Sequence, residues 1–353
     1  MESSAALLPL AGLAIGAAFG AATERSGFCT MGAVSDWAGL GDATRLRAWA
    51  LAAAIAIAGA QALHLAGAID LSLSMHGARR VAWLGNLVGG ALFGVGMTYA
   101  GGCASRSLAR LGAGNLKSLV VLLVLAVAAM ATMRGLLAPM RLAIVDGSAI
   151  PLPAPQAIPE LLAPGSSALR AAIAAIIASA LAAWALLDPR LRARRALVAG
   201  ASAAGTLAGA AWAATGILGR DDFDPAPLAS LSFVAPVAET TLYAMLSTGS
   251  RFTFAVATCV GVVAGATTSA LAAGRFRWEG FADRDDLVRH VLGGAAMGIG
   301  GVLAMGCTIG QGLAGISTLA LGSVLSIAGI LAGGALATRA LAEGSWREVL
   351  RLR

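Results

Sequence analysis

The chain has 353 residues, of which 58% are hydrophobic and only 12% are charged, about half the charged share of a soluble domain. This composition excludes a soluble protein and predicts an all-α polytopic membrane protein. The net charge of +7 does not indicate nucleic-acid binding, because the arginines lie in short loops beside apolar stretches, as expected next to a membrane.

Nine stretches are predicted to cross the bilayer, which takes about 20 apolar residues each. In chain order they cover roughly residues 5–22, 47–68, 81–101, 116–138, 168–187, 196–217, 248–273, 286–305 and 317–340. The first stretch has no positively charged segment before it, so we interpret it as a span and not as a cleaved signal peptide.

Loop charge predicts the orientation in a bacterial inner membrane. The basic segments, expected in the cytoplasm, are 188–195, 274–289 and the tail after Thr338. The proline-rich loop 140–167 and the acidic loop 219–236 are expected in the periplasm. The N-terminus is then periplasmic and the C-terminus cytoplasmic. Arg79 and Arg80 contradict the rule, because this scheme places them outside.

Four further segments contain too many polar residues, or are too short, to cross the membrane: 24–40, 103–115, 229–246 and 307–316. Irregular or broken backbone at membrane depth is tolerated only where protein or a water-lined cavity covers it. We therefore predict four re-entrant helices that dip toward the middle of the bilayer.

The chain contains an internal repeat. Residues 86–105 (NLVGGALFGVGMTYAGGCAS) and 290–309 (HVLGGAAMGIGGVLAMGCTI) share eight identical residues at a constant offset of 204, and the last of these pairs Cys103 with Cys307. Because the two copies begin on opposite sides of the membrane, the repeat is predicted to be inverted. The first repeat covers about 5–138, a linker helix 168–187 and the second repeat 196–340. Such architecture is typical of transporters with a path between the halves.

Cys103 and Cys307 each end a glycine-rich span and open a predicted re-entrant helix. Helix N-termini favour anions, and a thiol adds a weak donor and a polarizable sulfur, so this environment suits a sulfur-containing anion. The alternative is that a free cysteine serves only as a small buried hydrophobe. Its repetition beside a helix break favours the functional interpretation.

Cys29 follows another glycine-containing span and is the third candidate, with Glu24 and Arg25 close by. Cys259 lies in the middle of a span without polar neighbours and is interpreted as packing. A metal site formed by the cysteines with histidines stays a weaker alternative, because the spacing matches no structural zinc pattern. Redox catalysis by one of these cysteines would need a second, resolving cysteine nearby, and the sequence offers none. No cofactor is predicted.

Several polar residues are secondary candidates for contact with a substrate. They lie within about one turn of a cysteine or beside it in sequence, and they are Ser105, Arg106, Thr308, Gln311, Glu24 and Arg25. Each hydroxyl or amide could equally form hydrogen bonds between helices. Glu24 with Arg25 could equally be a structural ion pair.

Three motifs resemble the YeeE/YedE membrane family: the stretch from Gly16 to Cys29 ending in ERSGFC, the GGC at Gly101–Cys103 followed by LARLGAGNLKSLVV, and MGCTIGQGLAGIS at 305–317. The resemblance covers essentially the whole chain. It implies nine crossing helices with re-entrant helices, and an hourglass-shaped path. It further implies that Cys29, Cys103 and Cys307 relay thiosulfate through weak S–H···S contacts, and that a small TusA-type sulfur carrier acts on the cytoplasmic side.

We therefore expect a thiosulfate or related sulfur-anion importer and not an enzyme. The alternatives are a sulfur-relay subunit or enzyme that forms a cysteine persulfide, and a transporter of a selenium species. The sequence has no nucleotide-binding motif, so ATP is not expected to drive transport directly.

Overall fold

The computed structural model describes residues 2–220 and 225–344, and it shows an all-α polytopic architecture. The α-helices of this part are α1 (Glu2–Ser26), α2 (Thr30–Leu40), α3 (Thr44–Leu65), α4 (Trp83–Tyr99), α5 (Ala104–Gly112), α6 (Leu116–Arg134), α7 (Ala138–Val145), α8 (Ile158–Leu162), α9 (Ser167–Leu186), α10 (Pro189–Ala193), α11 (Arg195–Ala213), α12 (Val234–Met245), α13 (Phe254–Ala272), α14 (Arg284–Leu303) and α15 (Leu321–Glu343). A further short helix at 308–317 contains a π-helical turn at Gly310–Gly315, and another π-helical turn, Ala214–Leu218, extends α11.

Nine of these helices are long and correspond to the nine predicted spans: α1, α3, α4, α6, α9, α11, α13, α14 and α15. Eight stretches of the described chain are apolar enough to cross a membrane, and together they contain every one of these helices except α14. Helix α14 differs because its first two turns are polar, with charged residues from Arg284 to Arg289. Lys117 neutralises part of that charge through an ion pair of 2.7 Å with Asp286.

The four segments predicted to be re-entrant form separate short helices: α2, α5, α12 and the 308–317 helix. The longest of them, α12, has 12 residues, and a helix of that length rises about 18 Å, too little to cross the hydrocarbon core. The predicted boundary of the first segment was wrong, because residues 24–26 continue α1 and the short helix begins only at Thr30.

The long helices pack closely in pairs. Helix α1 lies along α13, α4 lies between α14 and α15, α6 packs on α14, and α3 packs on α9 and α11. Glycines allow this approach: a Cβ atom on Gly265 would lie 1.9 Å from the carbonyl oxygen of Ala17. Small residues at helix interfaces have this role in membrane proteins, where van der Waals packing holds helices together.

The connecting segments gather on two opposite faces. We call the face with residues 66–82 and 135–166 the loop face, and the face with 188–194 and 273–283 the basic face. On the loop face, the two-residue strands β1 (Arg80–Val81) and β2 (Ile150–Pro151) pair antiparallel. Arg80 forms an ion pair of 2.8 Å with Asp146, so a carboxylate offsets the charge that contradicted the loop-charge rule.

The basic face is held by ion pairs between helices. Glu24 at the end of α1 accepts two hydrogen bonds, of 3.0 and 2.8 Å, from the Arg275 guanidinium. The predicted placement of the C-terminal tail on this face falls mostly on residues 345–353, which lie outside the described residues.

Helix α9, the predicted linker, is fixed to the loop face by a buried arginine. Arg170 is 4% exposed, forms an ion pair of 2.8 Å with Glu160 and donates to the Gln61 side chain at 3.3 Å. This hydrogen-bonded guanidinium holds the pKa of the Glu160 carboxyl below its ordinary value. A buried charge that is paired in this way avoids the large cost of isolated burial.

Candidate functional site

The three predicted cysteines occupy equivalent places in the fold, each at the start of a short helix. Cys29 is the N-cap of α2, Cys103 is the N-cap of α5, and Cys307 directly precedes the 308–317 helix. Phe233 is the N-cap of α12, the fourth short helix. Three of the four short helices that were predicted to be re-entrant thus begin at a thiol, where unpaired backbone N–H groups concentrate positive potential.

The structure brings these thiols together at the centre of the protein. Cys103 and Cys307 belong to one buried apolar cluster that includes Phe233, and they are 2% and 0% exposed. Cys103 also lines a small cavity together with Cys29. Cys29 is partly exposed and the other two are buried. The arrangement is a short row of thiols with Cys103 in the middle.

The break between α4 and α5 is stabilised from the basic face. Gly101 adopts a left-handed conformation, with φ of 67°, which reverses the chain ahead of Cys103. The Arg110 guanidinium donates to the carbonyl oxygen of Gly101 at 2.9 Å. The Cys103 sulfur lies 3.3 Å from the hydroxyl oxygen of Ser105, so this predicted residue contacts the thiol itself.

The break between α14 and the 308–317 helix has the same backbone form with different partners. Met305 takes the left-handed conformation here, with φ of 57°. The Gln311 amide donates to the carbonyl oxygen of Ala304 at 2.7 Å and accepts from the Ser323 hydroxyl at 2.6 Å. The structure therefore gives Gln311, predicted as a substrate contact, an evident role in holding the break.

Cys307 is surrounded by hydrogen-bond donors. The backbone N–H of Gly310 donates to its sulfur at 3.3 Å. Thr308, the next residue, is completely buried, and its hydroxyl oxygen has no hydrogen-bond partner among the described residues. An unpaired buried polar group costs roughly 1–3 kcal/mol. A hydroxyl left free beside a thiol is available to a passing ligand.

A small cavity of about 10 Å³ lies beside Cys29 and Cys103. It is lined by these two cysteines, Ser105 and Arg106, together with Phe19, Thr23, Phe28, Thr30 and Ile309. Its volume is about that of one water-sized probe. Arg106 donates to the carbonyl oxygen of Thr23 at 2.9 Å. It forms no ion pair within residues 2–220 and 225–344, although the Glu24 carboxylate is near enough to interact with its charge.

Glu24 and Arg25 have partners that tie α1 to α13. Besides its contact with Arg275, the Glu24 carboxylate accepts from the hydroxyl of Ser269 at 2.6 Å. Arg25 donates to the same hydroxyl oxygen at 3.0 Å. The sequence left open whether these charges are structural, and their contacts favour a structural role.

A much larger cavity, of about 1080 Å³, opens from the loop face. It extends to Met305 and Gly306, directly before Cys307, and to Gln311, whose side chain holds this break. Its walls also carry residues that the sequence analysis did not select, among them Asn86 and Arg141. No motif marks these residues, since they come from separate helices and only their loop-face position could have suggested them.

Cys259 is 1% exposed and packs in the same apolar cluster as the thiol row. It lies within α13 and begins no helix. No group of three or more histidine, cysteine or acidic side chains suited to a metal ion occurs in the part of the chain that the structure describes.

Two comparisons with known proteins agree with this architecture. Residues 25–336 match the model of a family described as "Sulphur transport". The chain is also 27% identical over 326 residues to the thiosulfate transporter TsuA of Escherichia coli (strain K12), a match that covers 86% of each chain. Because the family model covers most of the sequence, including all the helix breaks, the chain belongs to the YeeE/YedE sulphur transport family.

Proposed function

We propose that this protein imports thiosulfate, or a closely related sulfur oxyanion, across a bacterial inner membrane. The anion enters the cavity on the loop face, which is periplasmic in this proposal. It then passes Cys307, Cys103 and Cys29 and leaves at the basic face, which is cytoplasmic. The N-terminus is accordingly periplasmic and the C-terminus cytoplasmic.

The row of three thiols at helix starts is the observation that carries this proposal. Each thiol lies where backbone N–H groups favour an anion, and the row lies between the large cavity and Arg106. Sulfur and N–H groups offer many weak contacts in place of one tight site. Conduction requires such binding, because the ion must leave as readily as it enters.

The packing supports two inverted repeats. If the repeats are equivalent, α4 corresponds to α14, α6 to α15 and α2 to α12. The contact of α4 with α15 then corresponds to the contact of α14 with α6, and both contacts are extensive. In the same way, the contact of α2 with α15 corresponds to the contact of α12 with α6. We propose that the repeats cover about 5–138 and 196–340, with α9 as the linker between them.

A persulfide-forming enzyme or relay subunit is less well supported. A nucleophilic cysteine needs a solvent-reached thiolate, whereas Cys103 and Cys307 are almost completely buried. Weak non-covalent passage suits buried thiols better. On the cytoplasmic face, a TusA-type carrier would act after release of the anion.

Growth on thiosulfate as the sole sulfur source tests the proposal, in a strain that lacks its own sulfate and thiosulfate importers. Wild type and Cys259→Ala should restore growth, and Cys103→Ala should restore it only at a lower rate, at matched levels in the membrane. Growth of the Cys103→Ala strain at the wild-type rate would contradict a thiol-lined path. If wild type fails to restore growth and the same cells take up a labelled selenium oxyanion, the selenium alternative is favoured.

A further inference from the structure

Arg141 is an arginine without a partner on the wall of the large cavity. It lies in α7, and its Nε atom is buried. Its guanidinium forms no hydrogen bond or ion pair with any residue that the structure describes. Hydrogen bonds to charged groups contribute about 1.5–3 kcal/mol, so an arginine held this way forgoes a substantial interaction. Its placement indicates a site for an anion.

Asn86 lines the same cavity and is also unsatisfied. The residue is only 3% exposed, and its Oδ1 atom is buried without a hydrogen-bond partner in the described chain. A side-chain amide carries two donors and an acceptor, and buried polar groups are nearly always hydrogen-bonded. A polar ligand in the cavity would supply the missing partner.

Asn86 and Arg141 reach the same cavity from different neighbours of α4. Helix α7, which carries Arg141, packs on the first turn of α4, where a Cβ atom on Gly85 would lie 3.0 Å from the Cγ2 atom of Val145. Asn86, the next residue, faces the start of α15, since a Cβ atom on Gly322 would lie 2.7 Å from its Nδ2 atom. Both polar side chains therefore line one cavity, Arg141 from α7 and Asn86 between α4 and α15.

Other charged groups on the cavity wall are already engaged or more exposed. Arg80 pairs with Asp146, and Arg220 donates to the carbonyl oxygen of Ala68. Arg134 is exposed at the end of α6, and Glu239 lies across the cavity on α12. Arg141 is therefore suited to bind an anion that has already entered the cavity.

We propose that Arg141 and Asn86 form a binding subsite for a small divalent oxyanion on the loop-face side of Cys307. The inference rests on the proposed function and adds that the oxygen and sulfur atoms of the anion are recognised at different places. The guanidinium supplies charge and planar N–H donors, and the amide supplies further donors, so the subsite recognises oxygen atoms. The terminal sulfur of thiosulfate is recognised later, at the thiols. Sulfate therefore binds the subsite as well.

Titration calorimetry of the purified full-length protein tests the subsite, with sodium thiosulfate as the ligand. Arg141→Gln and Asn86→Ala should each weaken binding at least about tenfold, the effect of losing about 1.4 kcal/mol. Arg79→Gln is the matched control, because Arg79 is exposed on the same face and does not line the cavity. It should bind within about twofold of wild type, since a distant exposed charge is screened by salt.

Affinities of Arg141→Gln and Asn86→Ala within twofold of wild type would overturn the subsite. Arg141→Gln decides the matter if Asn86→Ala fails to fold, because Arg141 is only partly buried and glutamine keeps the first part of its side chain. Sulfate at hundredfold excess should displace thiosulfate, and a failure to compete would overturn recognition through oxygen. Uptake into vesicles is measured separately. Arg141-dependent binding without uptake by wild type supports the subsite and contradicts only the transport proposal.

Discussion

The two breaks at Cys103 and Cys307 have nearly the same backbone and different chemistry around it. Gly101 and Met305 both adopt the left-handed conformation two residues before the cysteine. At the first break, a cationic side chain, Arg110, binds the free carbonyl. At the second, the neutral amide of Gln311 does so.

Along the proposed path, this difference places a cation beside Cys103 and only uncharged donors beside Cys307. Beside Cys103, Arg106 lies without an ion pair in the described chain and can offset the charge of an anion. Beside Cys307, the donors are the N–H of Gly310 and the unpartnered hydroxyl of Thr308. The charge of an anion is therefore least compensated at Cys307, and we expect the highest free-energy barrier of the proposed path there.

The largest effect is expected from Cys307→Ala. Loss of a contact where no cation compensates should lower the initial rate of thiosulfate uptake roughly tenfold to hundredfold, corresponding to about 1–3 kcal/mol. Cys103→Ala should lower the rate less, because Arg106 stays in place. Uptake of labelled thiosulfate into membrane vesicles measures both. A Cys103→Ala defect larger than that of Cys307→Ala would reverse the order of the barriers.

Arg106→Gln should lower uptake about tenfold, since a charge-assisted contact contributes about 1.5–3 kcal/mol. Arg106→Lys keeps the charge and should retain most of the activity. If Arg106→Lys is as impaired as Arg106→Gln at equal thermal stability, then the hydrogen bond to Thr23 matters and the charge does not.

Gln311→Leu should destabilise the protein by about 1–3 kcal/mol, because it leaves a buried hydroxyl and a carbonyl with fewer partners. Arg110→Leu, the corresponding change at the first break, should cost less, since water can reach the half-exposed Gly101. Thermal unfolding in detergent compares the two variants. An equal loss of stability in both variants would contradict the expectation that the first break is hydrated and the second is buried.

The smallest effect is expected from Gly101→Ala, about 1 kcal/mol, because the left-handed conformation disfavours a side chain. Gly280→Ala is the control: a Cβ atom there meets nothing within 4 Å. The same unfolding measurement should show no change for Gly280→Ala. If Gly101→Ala also leaves the unfolding temperature unchanged, the first break tolerates a side chain at position 101, as the second break does at Met305.

Much of the fold could be predicted because hydropathy and loop charge act over whole segments. The nine long helices lie within a few residues of the predicted spans, and the repeat led directly to Cys103 and Cys307 at equivalent helix starts. The boundary after α1 could not be predicted, because Ser26 and Thr30 differ little in local preference. Tertiary contacts of Glu24 and Arg25 with α13 extend that helix.

The polar residues were harder to assign, because their roles depend on partners distant in sequence. Gln311 holds the Ala304 carbonyl, and Glu24 pairs with Arg275 across 251 positions. Arg141 and Asn86 were missed for the opposite reason: their proposed role comes from lacking a partner in the described part of the chain, which no sequence pattern records.

Uptake of labelled thiosulfate into proteoliposomes made with the purified protein tests the central claim most directly. Three proteins would be compared at equal incorporation: wild type, Cys259→Ala, and the double variant Cys103→Ala, Cys307→Ala. The account predicts matching uptake by wild type and Cys259→Ala and none by the double variant. Uptake by the folded double variant at the wild-type rate would contradict a path that runs along the thiols.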